Sequence, residues 1–372
     1  MKKILIQAIA LLFFTLNLSA QELLPFATSN YAGVSGVHLQ PASIDDSRFS
    51  FDLAVSSTSF SITNNFYGID PYVIWHPKLI QDLDFRGEYI TRNLDGNDKH
   101  GLISLKQDFF SFMISLSEKD AIAFTPSLRA VYNLNNMTES MAVLIDNYDQ
   151  ETNLWDIRLK NENLNSQVNM WAEYGFTYAR VILDKEKHFL KAGTTLKINQ
   201  GIGSGYMFMK DLTYEVNDQD TLSIYNTYTN YGASDNIDEE FNYHFNTNPS
   251  LAFDFGVVYE FRPEWMKYRY EMDGKTNLPR RDKNKYLFKI GVSLTDLGNV
   301  RYRRNPLSKD FNADIHKLYT DGLEFSSVAD LNAFIDTNFV YYDVPDKYTM
   351  KLPLSLSFQA DVRVAEGFYV NI

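Results

Sequence analysis

The chain has 372 residues, a formal net charge of -12 and no cysteine. An acidic chain is a poor partner for nucleic acid, and the lack of cysteine excludes disulfide bridges, thiolate metal sites and a lipid-modified N-terminal cysteine. Aromatic residues make up 15% of the sequence although the mean hydropathy is only -0.29, and the single long apolar run lies at the N-terminus, which excludes transmembrane helices from the rest of the chain.

Residues 1–20 have the pattern of a secretory signal. Lys2 and Lys3 precede an apolar run over residues 4–18, and the small residues Ser19 and Ala20 come directly after it. The run is shorter than the roughly 20 residues that a membrane-spanning helix needs. We therefore predict export and cleavage near Ala20 rather than a lone membrane anchor.

Residues 21–48, which we call the N-terminal segment, differ in composition from the remainder of the mature chain. Residues 30–36 and 40–43 are rich in small residues and turn formers and show no strand alternation. Small residues allow close packing, so the segment is a candidate plug for the lumen of a barrel. A plain periplasmic linker is the alternative.

Residues 109–134 carry the clearest structural signal, a hairpin of two alternating stretches joined by the charged residues 118–120. Phe110, Phe112 and Ile114 share one face of the first stretch, and serines share the other. Period-two alternation indicates β-strands. Because the apolar face is large and aromatic on both sides of a minimal turn, the hairpin is typical of the lipid-facing wall of an outer-membrane barrel.

The same alternation recurs along the chain, and in residues 251–262, 286–294 and 352–364 it extends over roughly the 9 to 11 residues that a tilted strand needs to cross a bilayer. The candidate strands cover residues 49–62, 101–106, 168–183, 189–199, 212–216, 222–229, 251–262, 286–294 and 352–364. With the hairpin they predict an all-β fold, a transmembrane antiparallel β-barrel over residues 49–372, with about 12–14 strands when complete.

The lengths of the connections assign the two sides of the barrel. Short charged links at 118–120, 184–188 and 365–367 predict periplasmic turns, which makes residues 200–250 and 297–350 long outer excursions. Strand parity then places the hairpin at 212–229 above the membrane and makes 263–285 a long periplasmic connection. Short helices are predicted within the loops, one over 327–337 from a capping-box spacing and a weaker one after Thr138.

Charged residues on the polar faces of the strands are the candidate functional residues, because that face should point into the lumen. They are Arg129, Glu173, Lys191, Lys197, Asp254, Glu260, Lys289, Asp361 and Arg363. Their mixed signs favour mutual pairing across the lumen, with a role in solute selectivity as the alternative. Pro126 interrupts the second strand of the hairpin, and since proline cannot donate to a ladder it predicts a local bulge or kink.

Motifs for catalysis or cofactor binding are not found in the sequence. No two of the six histidines have the i, i+4 spacing of a helical zinc site, and residues 201–205 lack the pattern of a phosphate loop or nucleophile elbow. We therefore predict no catalytic residues, no metal and no cofactor.

Several stretches resemble an uncharacterised family of outer-membrane barrels from Bacteroidetes-type Gram-negative bacteria, within the fatty-acid-transporter-like (FadL-like) and PorV-like group. The matching stretches are residues 30–43, 109–134, 256–263, 291–298 and 352–371. The resemblance implies an outer-membrane barrel with an N-terminal segment near or inside the lumen, and it supplies no substrate. Gln40 departs from the Asn expected before Pro-Ala-Ser. Residues 367–372 begin a strand too short to cross the membrane, from which we expect a C-terminally truncated fragment that lacks two to four strands.

This interpretation leads to two candidate functions. The first is a FadL-like channel or transporter for small or hydrophobic compounds. The alternative is a non-enzymatic scaffold barrel of the PorV type, at the surface or associated with secretion. The expected partners are outer-membrane lipid, with hydrophobic small molecules or other envelope proteins, and not nucleic acid. An enzyme ranks third because no serine, histidine and acid set is recognisable.

Overall fold

A computed structural model describes residues 29, 31–76, 89–148, 150–236, 246, 248–280, 282–320, 328–365 and 367–371. The predicted signal sequence, the first part of the N-terminal segment and the residue Ser327 of the predicted capping box lie outside these described residues.

Strands dominate the described chain, as the alternation predicts, and nineteen are described, against the about 12–14 predicted for a complete barrel. They are β1 (Phe51–Ala54), β2 (Ser57–Asn64), β3 (Tyr67–Ile69), β4 (Ile90–Arg92), β5 (Lys99–Asp108), β6 (Ser111–Ser115), β7 (Asp120–Met137), β8 (Leu159–Lys185), β9 (His188–Asp218), β10 (Thr221–Ala233), β11 (Ser250–Phe261), β12 (Arg269–Met272), β13 (Lys275–Pro279), β14 (Phe288–Arg303), β15 (Lys309–Tyr319), β16 (Val340–Tyr342), β17 (Lys347–Lys351), β18 (Ser355–Ala365) and β19 (Phe368–Asn371). Fifteen of them form one antiparallel sheet, so the predicted all-β antiparallel fold is confirmed.

Three short α-helices lie in the connections: α1 (Pro71–Trp75), α2 (Glu139–Asp146) and α3 (Val328–Asn338). The last two confirm the helices predicted after Thr138 and over 327–337. None of the helices in the described parts of the chain combines the length and apolar character needed to cross a membrane.

The strands of the sheet are arranged in the order β1-β6-β7-β8-β9-β11-β14-β18-β19. The later part of β7 pairs with β5 instead of β6, and β5 pairs with β2. Each neighbouring pair is antiparallel. Among the described residues no ladder joins β19 to β1 or β2, so closure of the strands into a ring is not found there.

Two strands, β8 and β9, are much longer than the rest, and β9 takes part in two regions of the sheet. The first half of β9 pairs with β11, and its second half pairs with β10 from Gly205 to Asp218. β10 in turn pairs with β15, and β15 with β16. The segments predicted as separate strands at 212–216 and 222–229 are therefore the end of β9 and most of β10. We call β10, β15, β16 and the second half of β9 the outer sheet.

Outside the outer sheet, in the part of the sheet that contains β8 and β11, the two faces have an unusual distribution of polarity. In β11, Phe255 and Val257 are 45% and 46% exposed, whereas the alternate residues Asp254 and Gly256 are buried. The pattern repeats in β8, where Phe176 is 48% exposed and faces away from the buried Glu173. A water-soluble protein buries its large apolar side chains and exposes its charges. This sheet does the opposite.

Pro126 does not kink β7. The ladder between β7 and β8 runs in register through the pair Pro126 and Tyr174. The discontinuity lies instead in the neighbouring strand, between β5 and β6, where Phe109 N donates to the Pro126 carbonyl at 3.0 Å. The proline is therefore tolerated because its missing N–H would have pointed at a neighbour that is itself interrupted.

Candidate functional site

The N-terminal segment crosses the buried polar face of the sheet. Two 3-10 turns, Gly33–His38 and Pro41–Ile44, contact β1, β6, β7, β8, β9 and β11. Val34, Val37 and Ile44 are buried against Met113 and Ala179 on the sheet. The segment is thus packed against strands that are distant from it in sequence, and its predicted role as a plug stays a prediction.

Glycines on the sheet make room for this contact. A Cβ atom on Gly193 would lie 2.6 Å from the backbone of Pro41 and Ala42, and one on Gly256 would collide with Gln40. Gln40 Nε2 donates to the carbonyls of Val257 at 3.4 Å and Val292 at 3.2 Å, and so joins the segment to β11 and β14. Glycine in a strand often marks a close backbone approach, and it does so here.

The end of the segment is bound by an ionic group that we call the anchor cluster: Asp46, Lys191, Glu260, Arg262 and Lys285. Asp46 accepts from Arg262 Nη2 and Lys285 Nζ, both at 2.7 Å, and Arg262 also contacts Glu260 at 2.7 Å. Lys191 Nζ donates to the carbonyl of Asp45. A small cavity of about 70 Å³ adjoins the cluster.

Electrostatics favour the ionised form of Asp46 despite its burial. Burial by itself raises the pKa of this carboxyl group, but the charges of Lys285 and Arg262 outweigh that effect and hold its pKa well below the ordinary value of 3.8. The attachment of the segment therefore depends on charge pairs in a water-poor environment, where losing one partner is costly.

A second ionic group, the central ionic cluster, lies deeper on the same face and comprises Arg129, Glu173, Lys197, Asp254 and Asp296. Arg129 contacts Asp296 at 2.8 Å and Glu173 at 3.2 Å. Lys197 contacts Asp296 at 2.6 Å and Asp254 at 2.8 Å. The five side chains come from β7, β8, β9, β11 and β14, so the cluster ties five strands together across the interior.

Asp296 enters this cluster through a β-bulge. Strict alternation in β14 would place Asp296 on the exposed face with Val292 and Leu294. Its φ of 63° coincides with a register shift in the ladder with β11, and the turn directs its side chain to the buried face. Its backbone N–H also donates to Asp254 Oδ1 at 2.7 Å. The left-handed conformation is tolerated at aspartate more readily than at most residues.

A third polar contact joins the N-terminal segment to β5. His38 Nε2 lies 3.2 Å from Asp108 Oδ1, and Lys106 Nζ lies 3.3 Å from the same oxygen. Burial and the neighbouring charge of Lys106 lower the pKa of His38, although Asp108 acts in the opposite direction. This environment therefore favours the neutral form of His38.

Apolar side chains cover the polar face beyond the central ionic cluster. Tyr302, Val300, Met350 and Leu352 are buried together with Trp171. The hydroxyl of Tyr302 donates to Asn169 Oδ1 at 2.6 Å. Along this face, the N-terminal segment, the central ionic cluster and the Tyr302 group thus succeed one another from one end to the other.

The structure brings together most of the sequence-predicted site residues. Arg129, Glu173, Lys197 and Asp254 meet in the central ionic cluster, and Lys191 and Glu260 belong to the anchor cluster. Lys289 pairs with Asp361 at 3.6 Å, and Arg363 lies farther out and contacts Glu264 at 3.3 Å. Several of these residues pair with one another or with Asp296, and their predicted position in a lumen stays a prediction.

Sequence reasoning missed Asp46, Asp296, Lys285 and His38. Asp46 and His38 lie in a segment without periodicity, and Lys285 lies in a connection, so alternation could not assign them a face. Asp296 continues a strand pattern but sits at its bulge. An available signal was the set of inward-facing glycines in β9 and β11, which indicates that another backbone passes close by.

Comparison with known proteins gives a family but no activity. A family model described as a family of unknown function (DUF5723) matches residues 41–372. No curated protein and no solved structure gave a match. The resemblance to FadL-like and PorV-like barrels stays a prediction. The chain belongs to the family of unknown function DUF5723.

Proposed function

We propose that this protein is an outer-membrane β-barrel protein, exported by its N-terminal signal, that acts as a gated channel for small polar solutes. The inverted polarity of the sheet supports a membrane setting, because exposed rows such as Phe253, Phe255 and Val257 would contact lipid rather than water. The buried polar face would then line the lumen.

Strand dimensions agree with this setting. β11 has 12 residues, close to the roughly 9 to 11 that a tilted strand uses to cross the hydrocarbon layer. The outer sheet would project beyond the bilayer, since β9 continues for many residues past its pairing with β11. Pairing of the β2 and β19 edges belongs to the proposal, because unpaired backbone groups in lipid cost several kcal/mol each.

The observation that supports a gated channel is the packing of the N-terminal segment against the polar face. Its contacts include three charged or polar attachments, at His38, Gln40 and Asp46, to different parts of the wall. In this proposal, opening would break these three attachments together with the apolar contacts of Val34, Val37 and Ile44. The seated segment would close the lumen in this proposal, and its withdrawal would expose Arg262 and Lys285 at one end of it.

The charged wall favours polar solutes. Nine charged side chains would line the path. Five belong to the central ionic cluster, and the other four are Lys191, Glu260, Arg262 and Lys285 of the anchor cluster. An apolar molecule would gain nothing from that wall, whereas an ion or a small polar molecule could exchange its water for it.

Single-channel recording in planar bilayers tests the proposal. The full-length protein is expected to be closed most of the time, and Asp46→Lys, which sets a cation against Arg262 and Lys285, is expected to raise the open fraction. Asp282→Lys reverses the charge of an exposed aspartate paired with Arg280, and is the matched control that should behave as wild type. If the Asp46→Lys variant shows no conductance although its N-terminal segment is shown to be released, the channel proposal is contradicted.

The outer sheet favours a second function, a non-enzymatic scaffold of the PorV type. Its strands β10, β15 and β16 have no part in crossing a bilayer in the arrangement proposed above, and they form a broad surface that another envelope protein could use. Crosslinking in native membranes tests this alternative. Recovery of one recurrent partner through outer-sheet residues supports the scaffold, and the lack of any recurrent partner contradicts it.

A further inference from the structure

The outer sheet contains an apolar cavity that the channel proposal does not use. It lies between α3 and the strands β9, β10 and β15 and has a volume of about 380 Å³. We call it the outer apolar cavity. Side chains that define its walls are Met207, Met209, Thr229, Phe311, Ala313 and Ile335.

Irregularities in the outer sheet account for the space. The ladder between β10 and β15 shifts register twice, between Leu222 and Ile224 and again between Ile224 and Thr227. Asn226 and Lys317 have positive φ values of 41° and 54° at this point. Bulges bend a strand away from its neighbours. We attribute the space between the sheet and α3 to these irregularities.

The lining is mostly apolar, with hydroxyl groups on Thr227, Thr229, Tyr231 and Thr320. None of the described residues around the cavity carries a charge. The Tyr231 hydroxyl donates to the Leu307 carbonyl at 3.1 Å, and the Thr227 hydroxyl donates to the Tyr225 carbonyl at 3.2 Å, so both are already engaged. Water needs two to four polar partners in a cavity, and ligand pockets are typically apolar and of this size.

One side of the cavity lining lies on β9, next to β8. Met207 and Met209 lie opposite Ser166 and Leu164 in the ladder with β8. Along β8 that same side continues through Val168, which is 37% exposed, toward the row that contains Tyr174. This part of β8 is mixed in character, with the buried Leu164 and the polar Ser166 opposite the lining and the exposed Val168 and Tyr174 beyond them.

We propose that the outer apolar cavity binds one uncharged, largely hydrocarbon molecule. The absence of charge in the described lining disfavours a fatty-acid carboxylate or a phosphate inside it. The site is a property of the outer sheet and stands whether or not the N-terminal segment opens a channel.

Photolabelling of the full-length protein in lipid nanodiscs tests the site, with a diazirine-bearing hexadecane as the probe and unlabelled hexadecane as the competitor. Peptides that contain Phe311 and Leu331 are expected to be labelled saturably and to lose the label on competition. Peptides that contain Phe253 and Phe255 should be labelled without saturation, as expected of lipid-facing residues.

A cavity-filling variant makes the test specific. Ala313→Trp is expected to lower the saturable labelling by at least about tenfold, because the bulky ring occupies the volume that the probe needs. Leu356→Trp, on the exposed face of β18, is the matched control and should leave it unchanged. If Ala313→Trp does not fold, Met207→Trp at the rim replaces it. Labelling that is absent, that does not saturate, or that persists in the folded filling variant would overturn the proposal.

Discussion

The central ionic cluster and the outer apolar cavity both depend on β9, yet they are built in opposite ways. Lys197, in the first half of the strand, is fixed by directed contacts to carboxylates on three other strands. Met207 and Met209, in the second half, contribute only apolar surface. Directed charge pairs tolerate little displacement, whereas apolar side chains exclude water without specifying distances and can leave a gap.

Removing the central cation should have the largest effect on the first region. Lys197→Ala leaves Glu173, Asp254 and Asp296 with Arg129 as their remaining cation in the cluster, and breaking a buried ion pair by deleting one partner costs about 3–5 kcal/mol. We expect a loss of this size in the free energy of unfolding, measured by denaturant titration of the micelle-solubilised protein. Lys210→Ala, an exposed lysine of the same strand, should change it by less than about 0.5 kcal/mol. A similar small change in both variants would show that the cluster is not stabilising.

The apolar region should respond strongly but locally. Ile335→Ala truncates a side chain of α3 that is 2% exposed, and such truncations cost about 2–5 kcal/mol where the site cannot collapse. We expect faster amide exchange confined to α3, β10 and β15, measured by hydrogen–deuterium exchange, because the cavity already weakens the packing there. Thr337→Ala on the exposed side of α3 is the control. Faster exchange around Lys197 as well would show that the two regions are coupled.

Adding a single methyl group to β9 should disturb the packing of the N-terminal segment. Gly193→Ala places a Cβ atom against the backbone of Pro41 and Ala42, and overpacking of this kind costs about 1–3 kcal/mol. We expect greater mobility of a spin label at Ser29→Cys, which is the sole cysteine in such a variant because the natural chain has none. Gly205→Ala, in the same strand, meets only ordinary contacts and should leave the label immobile. Equal mobility in both would argue against close packing at Gly193.

Acidification should loosen the same segment in two steps. The pKa of His38 is lowered when the segment is docked, so His38 of the released segment binds a proton more readily. Docking is therefore strongest above pH 6.5 and weakens as the pH falls through the lowered pKa. The pKa of Asp46 is also lowered, so its contribution is complete above pH 3.8 and declines below it. Each step changes the docking equilibrium by at most about tenfold per pH unit. The label at residue 29 should report both steps, and His38→Gln should abolish only the upper one.

Much of the first region was predictable because alternation is a local property. The exposed rows of β8, β11 and β18 and the inward positions of Arg129, Lys197 and Asp254 result from period two alone. The helices α2 and α3 were predictable from their own spacing. The outer apolar cavity was not predictable, because it depends on register shifts between β10 and β15, which are set by pairing between strands far apart in the sequence.

The sequence by itself determined that this chain forms long antiparallel strands with one apolar and one polar face, since each residue's side of a strand is fixed by its neighbours two positions away. The tertiary structure decided which charges meet. Asp296 reaches Arg129 only because a bulge turns it inward, and Asp46 reaches Arg262 only because the N-terminal segment folds back over glycines. Both depend on contacts between residues more than 150 positions apart, which no local pattern encodes.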